Sequence, residues 1–122
     1  MPTALRVLTL VIGAGFTLQG LGWLVAPSRA AEGLGMPLLD GMGRSTQVGD
    51  FAAFFLVGGL CMVLGTRPGG RRLLHVAAGL LGAAAVGRTV AWVVHGAAFA
   101  ALFITVEALV CVLCLAAARR TA

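Results

Sequence analysis

Charged residues are scarce in this sequence, and their scarcity argues against the soluble classes of protein. Asp, Glu, Lys and Arg make up 11% of the 122 residues, whereas a soluble domain carries about a quarter. Apolar residues make up 60%, and the mean hydropathy is +1.02. A small soluble domain buries only ~60–70% of the surface of its unfolded chain. The composition is therefore a poor fit to a soluble enzyme or a disordered tail and is typical of an integral membrane protein.

Lysine is absent, and only four residues are acidic, so the nine basic residues are all arginine and the formal net charge is +5. In a soluble protein such a balance would suggest nucleic acid as the partner. Here most arginines lie at the ends of apolar runs, where basic residues report membrane topology. We therefore expect the lipid bilayer, and no nucleic acid, as the partner.

Recognised nucleotide and redox motifs are also missing. The sequence contains neither a Walker A motif nor a dinucleotide-binding glycine fingerprint. Cys111 and Cys114 have the C-x-x-C spacing of redox and metal sites, but no second pair accompanies them. Because a free cysteine behaves as a small buried hydrophobe, we expect Cys111, Cys114 and Cys61 to pack in the core, with a redox role as the alternative. We expect no metal and no other cofactor.

Four long apolar runs dominate the chain. A helix that crosses ~30 Å of hydrocarbon needs ~20 residues, and every run meets this length. The sequence predicts an all-α, integral membrane four-helix bundle that forms one transmembrane domain over residues 1–122. The predicted spans are residues 5–25, 47–65, 73–94 and 97–118.

The connections between the runs contain helix-breaking residues. Residues 26–46 form the predicted outer loop, with a short surface helix over about Ser28–Leu34. Residues 67–72 predict a charged turn, and His95-Gly96 predicts a tight hairpin turn. Stripes of small residues indicate close helix packing, against this chain or another protein. These stripes are Gly13/Gly20 and Gly79/Ala83/Gly87.

The distribution of arginines predicts the orientation, because cytoplasmic loops carry an excess of Lys and Arg. Arg29 and Arg44 fall on the side of the outer loop. Six arginines fall on the side of the termini, so both termini are expected in the cytoplasm. The lysine-free composition, rich in Ala, Gly, Val and Arg, suggests a bacterial cytoplasmic (inner) membrane protein. The six are Arg6, Arg67, Arg71, Arg72, Arg119 and Arg120.

Four polar residues lie within the predicted spans, all in the outer half of the membrane: Gln19, Asp50, Arg88 and Glu107. Ionisable groups at this depth are rare and are usually paired or functional. Arg88 and Glu107 belong to adjacent antiparallel helices, offset by ~6 Å along the axis. Because helical side chains lean toward the N-terminus of their helix, we expect these two to form an ion pair. Asp50 is near enough in depth to be a second partner of Arg88.

Two interpretations of this cluster compete. The cluster either stabilises the packing of the spans through polar contacts or forms the wall of a pocket that binds a lipophilic small molecule. We favour a non-enzymatic protein that binds a lipophilic ligand or a partner subunit. Trp23 and Trp92 fall at the predicted outer interface, where indole rings prefer to lie, and His95 lies at the mouth. The candidate ligand-binding residues are Gln19, Asp50, Arg88, Glu107, Trp23, Trp92 and His95.

Two alternatives remain open. The first is a membrane-embedded isomerase or hydrolase acting on a hydrophobic small molecule. Glu107 or Asp50 would then supply acid/base catalysis, and Arg88 would stabilise developing charge. The second is an accessory subunit of a larger membrane complex, or a self-associating protein, that uses the small-residue stripes as contact surfaces.

Several residues also resemble a known family. Arg44 with the small-residue second span, Gly87-Arg88 in the third span and Glu107 in the fourth are similar to an uncharacterised bacterial four-span membrane family, domain-of-unknown-function family 4345. The resemblance covers about residues 20–120. Gly49-Asp50-Phe51 stands where that family has an aromatic-Gly-Gly stretch. The resemblance implies a four-helix bacterial membrane protein and supplies no known activity.

Overall fold

The computed structural model describes residues 1–121, and within them all regular structure is helical. The short helix that the sequence predicts over Ser28–Leu34 is confirmed as Pro27–Gly33, with Pro27 at the first helical position, where its missing N–H is tolerated. The five helices are α1 (Thr3–Val25), α2 (Pro27–Gly33), α3 (Gly41–Gly65), α4 (Arg71–Val94) and α5 (Ala101–Arg119).

The four long helices, α1, α3, α4 and α5, are each long and apolar enough to cross a membrane. Large apolar side chains such as Val11, Leu18 and Leu102 point away from the rest of the protein and are exposed. A water-soluble protein of this size rarely exposes so large an apolar surface, whereas such a surface is typical of helices that face lipid. The all-helical structure therefore has the features of a multi-pass membrane protein.

The second long helix begins earlier than predicted, at Gly41 rather than at Gln47. The prediction followed the apolar run, but the backbone stays helical through the polar segment before it. Gln47 is buried and accepts a hydrogen bond from the Leu39 N–H at 2.7 Å, and its amide donates to the Pro37 carbonyl at 3.0 Å. Arg44 donates from Nε to the Leu39 carbonyl at 2.8 Å. These bonds fix residues 34–40, called the linker below, against the first turns of α3.

The predicted tight turn at His95-Gly96 is wrong, because residues 95–100 form a longer connection and α5 begins at Ala101 rather than Ala97. Gly96 has φ +67°, a conformation that favours glycine. The Ala97 N–H then donates to the Ala91 carbonyl at 3.1 Å, and the His95 N–H donates to the same carbonyl. The helix ends there, and residues 97–100 are apolar without being helical.

The long helices form an up-and-down bundle in which each neighbouring pair is antiparallel. Around the bundle the order is α1, α3, α4, α5, and α1 and α5 contact each other only slightly. Gly65 lies against Leu74, whereas Arg88 lies against Glu107, which sets the register of α4 against both of its neighbours. The chain termini and residues 66–70 lie at one end of the bundle, the termini end. The helix α2, the linker and residues 95–100 lie at the other, the linker end.

A close crossing of α1 and α3 depends on glycine. A Cβ atom on Gly59 would lie 2.6 Å from both the Gly13 carbonyl oxygen and the Thr17 backbone nitrogen, and a Cβ atom on Gly20 would lie 2.7 Å from the Leu56 backbone nitrogen. Gly13 and Gly20 are therefore buried inside the chain's own bundle. The expectation that this stripe faces another protein is wrong, because α3 covers it.

We expect Gly59→Ala to lower the free energy of unfolding by about 1–3 kcal/mol, the usual cost of overpacking a close contact. The added methyl group meets backbone atoms, which cannot rotate away. Gly79→Ala is the matched control, because Gly79 is exposed and nothing lies within 4 Å of an added Cβ atom. Reversible unfolding in mixed detergent measures both variants. Equal stability of the two proteins would contradict this account of the crossing.

Two clusters of buried apolar residues lie between the middle of the bundle and the termini end. Cys61, Met62, Leu81 and Cys114 are buried in the central cluster, and Leu74 packs with Ala117, Ala118 and Leu5 nearer the termini. Cys111 packs against the central cluster. The three cysteines thus occupy apolar packing positions.

Candidate functional site: a cavity at the linker end

A cavity of about 690 Å³ lies where the pair α1/α3 and the pair α4/α5 separate toward the linker end. Every long helix contributes to its wall, and α2 and the linker contribute Gly33 and Leu34. The four polar residues singled out in the sequence all line it, although they come from four different helices. The polar part of the wall consists of Gln19, Asp50, Arg88 and Glu107.

Arg88 and Glu107 form the predicted ion pair in this wall. Arg88 Nε lies 2.8 Å from Glu107 Oε1, and the side chains are 31% and 10% exposed, respectively. The Nε–H bond does not point along this line, and within residues 1–121 no aligned donor serves the buried Oε1 atom. The two charges are therefore paired at contact distance within the wall.

The guanidinium group of Arg88 is also held from a second direction. Its Cζ atom lies 4.6 Å from the ring centroid of Phe103, which places the cation over the negative face of the ring. Phe103 precedes Glu107 by four residues, so one face of α5 presents both groups. The ring and the carboxylate together hold the side chain of Arg88 at the cavity.

Asp50 has a different environment from Glu107. It is exposed, and it lines both the cavity and an adjoining groove of about 390 Å³ beside the linker. The ion pairs among residues 1–121 are Arg88–Glu107 and the exposed Arg44–Asp40, so Asp50 is not the second partner of Arg88. With all groups ionised, the charges of Arg88 and Glu107 cancel, and Asp50 gives the polar wall a formal net charge of −1.

The rest of the cavity wall is aromatic and aliphatic, and the sequence analysis did not single out its aromatic residues. Five of the six phenylalanines in the chain line it. The Phe16 and Phe55 ring centroids are 5.4 Å apart, and those of Phe54 and Phe55 are 5.0 Å apart in an edge-to-face arrangement. The spacing of Phe51, Phe54 and Phe55 by three and four residues indicates one face of a helix. That spacing is the signal that could have found them.

Three further candidate residues do not line this cavity in the described part of the chain. Trp23 is fully buried beneath α2 and stacks on Phe51 with 4.9 Å between ring centroids. It packs in a core and does not lie at an exposed interface. Trp92 and His95 are exposed, and Trp92 contacts Phe99 at 4.5 Å between ring centroids. Trp23 contacts the cavity wall through Phe51, which lines the cavity.

Within residues 1–121, no three His, Cys, Asp or Glu side chains gather in a group that could hold a metal ion. The wall instead offers aromatic faces, one exposed carboxylate and one buried ion pair. This arrangement can hold an apolar molecule and hydrogen-bond to a polar group on it.

No family model, no curated protein and no solved structure matches this chain. The resemblance to domain-of-unknown-function family 4345 therefore stays a prediction.

Proposed function

We propose that this chain is a multi-pass protein of the bacterial cytoplasmic membrane that binds a lipophilic small molecule in the cavity at the linker end. One observation carries the proposal: four polar residues that lie far apart in the sequence line one cavity, and the remaining wall is mostly aromatic and aliphatic. An apolar pocket with a few convergent polar groups is the usual form of a small-molecule site.

The wall fits a ligand with two parts, an apolar body and a polar group. The phenylalanine rings contact its apolar body. Moving this body into the cavity lowers the free energy, because it leaves water or replaces weakly packed lipid. The Glu107 carboxylate accepts a hydrogen bond from a hydroxyl or amine on the ligand, and the guanidinium of Arg88 donates to a carbonyl or hydroxyl. In a cavity with little water these hydrogen bonds are stronger than at an aqueous surface.

Trp23 offers a reporter for this binding. It is fully buried, and its ring stacks on Phe51, which lines the cavity. In a Trp92→Phe protein, Trp23 is the only tryptophan. We expect a brominated fatty-acid methyl ester to quench its fluorescence in nanodiscs, because bromine quenches only at short range and lipid does not touch Trp23. An unquenched Trp23 at saturating probe would contradict the proposal.

We also propose that both termini lie in the cytoplasm. The excess of arginines at the termini end supports this orientation. We expect a membrane-impermeant maleimide to label Ser28→Cys in intact cells and to leave Pro68→Cys unlabelled until the cells are opened. Both positions are exposed, and the native cysteines pack within the bundle. The reverse labelling pattern would overturn the orientation.

An enzyme is the second candidate function, because the Glu107 carboxylate lines the cavity beside a fixed cation. Glu107 would then transfer a proton to or from a hydrophobic substrate, and Arg88 would stabilise the resulting charge. Conversion of a bound molecule that Glu107→Gln binds but leaves unchanged would favour the enzyme. The accessory-subunit alternative keeps only the exposed Gly79/Ala83/Gly87 stripe as its contact surface. The mass of the protein in detergent tests it.

A further inference from the structure

A second site is present at the termini end, away from the cavity at the linker end. A groove of about 450 Å³ lies between the first turn of α1 and the last turns of α5. Its apolar wall contains Leu5, Val112 and Leu115, and its rim carries Arg119 and Arg120. Both arginines are exposed. The groove therefore has an apolar wall with two cationic side chains at one end.

The apolar part of the groove follows one face of α5. Val112, Leu115 and Arg119 are spaced by three and four residues, which places them in a row along the helix. Val112 and Leu115 are exposed, so no part of the bundle covers this row. From Val112 to Arg119 the helix rises ~10 Å. A molecule in the groove thus meets hydrocarbon first and positive charge at the end of the helix.

The charged side chains at the termini end are all basic. This end carries six arginines: Arg6, Arg67, Arg71, Arg72, Arg119 and Arg120. All four acidic residues lie elsewhere, with Glu32 on α2, Asp40 in the linker, and Asp50 and Glu107 at the cavity. An anionic headgroup brought to Arg119 and Arg120 is therefore attracted by the whole end of the bundle.

We propose that this groove binds one anionic phospholipid, with its phosphate at Arg119 and Arg120 and an acyl chain along Leu115 and Val112. Guanidinium groups match phosphate in charge and geometry, and basic pockets between helices on the cytoplasmic side suit anionic lipids. An apolar groove without the arginines would hold any lipid tail. The complementary charge selects the anionic class, and this inference does not depend on the ligand of the cavity.

The test is native mass spectrometry of the protein in detergent with equimolar phosphatidylglycerol and phosphatidylcholine. We expect the wild-type protein to retain one phosphatidylglycerol in preference to phosphatidylcholine. In the double variant Arg119→Gln/Arg120→Gln, the ratio of bound phosphatidylglycerol to bound phosphatidylcholine should fall about tenfold, since each basic residue near an anionic lipid contributes substantially to its binding. Ala116→Phe, which fills the groove without changing its charge, should remove the bound lipid.

Arg71→Gln/Arg72→Gln is the matched control, because it removes the same charge from the same end but does not touch the groove. We expect it to keep most of the wild-type preference, because these arginines attract the headgroup only from a distance. Equal losses in the two double variants would overturn the proposal and indicate general surface attraction. Displacement of the lipid by glycerol 3-phosphate at similar concentration would also overturn it, because phosphate alone would then suffice. Circular dichroism checks that every variant is folded.

Discussion

Arg88→Met and Glu107→Leu are each expected to lower the free energy of unfolding by about 2–4 kcal/mol, because each leaves one charge of a largely buried pair without its partner. This range lies below the cost for a fully buried pair, since the Arg88 side chain is 31% exposed. In the Glu107→Leu protein the guanidinium keeps only the ring of Phe103 as a partner. Reversible unfolding in mixed detergent measures these losses.

The double variant Arg88→Met/Glu107→Leu should lose less than either single variant, because no uncompensated charge remains. Arg72→Met is the control for removing an arginine from α4. Arg72 is exposed at the termini end, so this change should cost no more than about 0.5 kcal/mol. If the double variant loses the sum of the two single losses, the two side chains act independently and the ion pair does not organise the cavity.

Gly87→Leu is expected to weaken probe binding in the cavity by about tenfold or more, which corresponds to a loss of at least ~1.4 kcal/mol of binding free energy. Gly87 lines the cavity next to Arg88, and an added Cβ atom would meet nothing within 4 Å. The Cβ atom of the leucine therefore enters open space, and the rest of its side chain takes space that the ligand needs. Quenching of Trp23 in the Trp92→Phe background measures the effect.

Gly79→Leu is the matched control for this substitution. Gly79 lies two turns before Gly87 on the same exposed side of α4, and it too has nothing within 4 Å of an added Cβ atom. It does not line the cavity. We expect wild-type quenching in Gly79→Leu. If both leucine variants lose quenching equally, the loss reflects a general change in the bundle, and the cavity is not the binding site.

Much of the fold could be predicted from hydropathy, because apolar runs of about 20 residues allow few structures other than membrane-spanning helices. The ends of helices were less predictable. Helix α3 extends back to Gly41 because Gln47 and Arg44 bind the linker, and such tertiary hydrogen bonds leave no periodic signal. The connection after His95 is longer than predicted because residues 97–100 are apolar but not helical.

The polar part of the site was easier to predict than its aromatic part. Gln19, Asp50, Arg88 and Glu107 stand out because polar residues are rare in apolar runs. The phenylalanines of α3 share a helix face by their spacing, but the spacing does not say whether that face meets lipid, a neighbouring helix or a cavity. Trp23 illustrates the same limit. A tryptophan at the end of a span is typical of a membrane interface, but α2 folds over this one and buries it.

A quenching titration of Trp23 tests the central claim most directly. Trp92→Phe protein in nanodiscs is titrated with the brominated fatty-acid methyl ester, and the fluorescence of Trp23 is followed against the ratio of probe to lipid. The account predicts a curve that saturates and that an unbrominated methyl ester reverses by competition. Quenching that rises linearly with the probe and does not respond to the competitor would mean that the probe only partitions into the bilayer, and it would contradict a lipophilic site in the cavity.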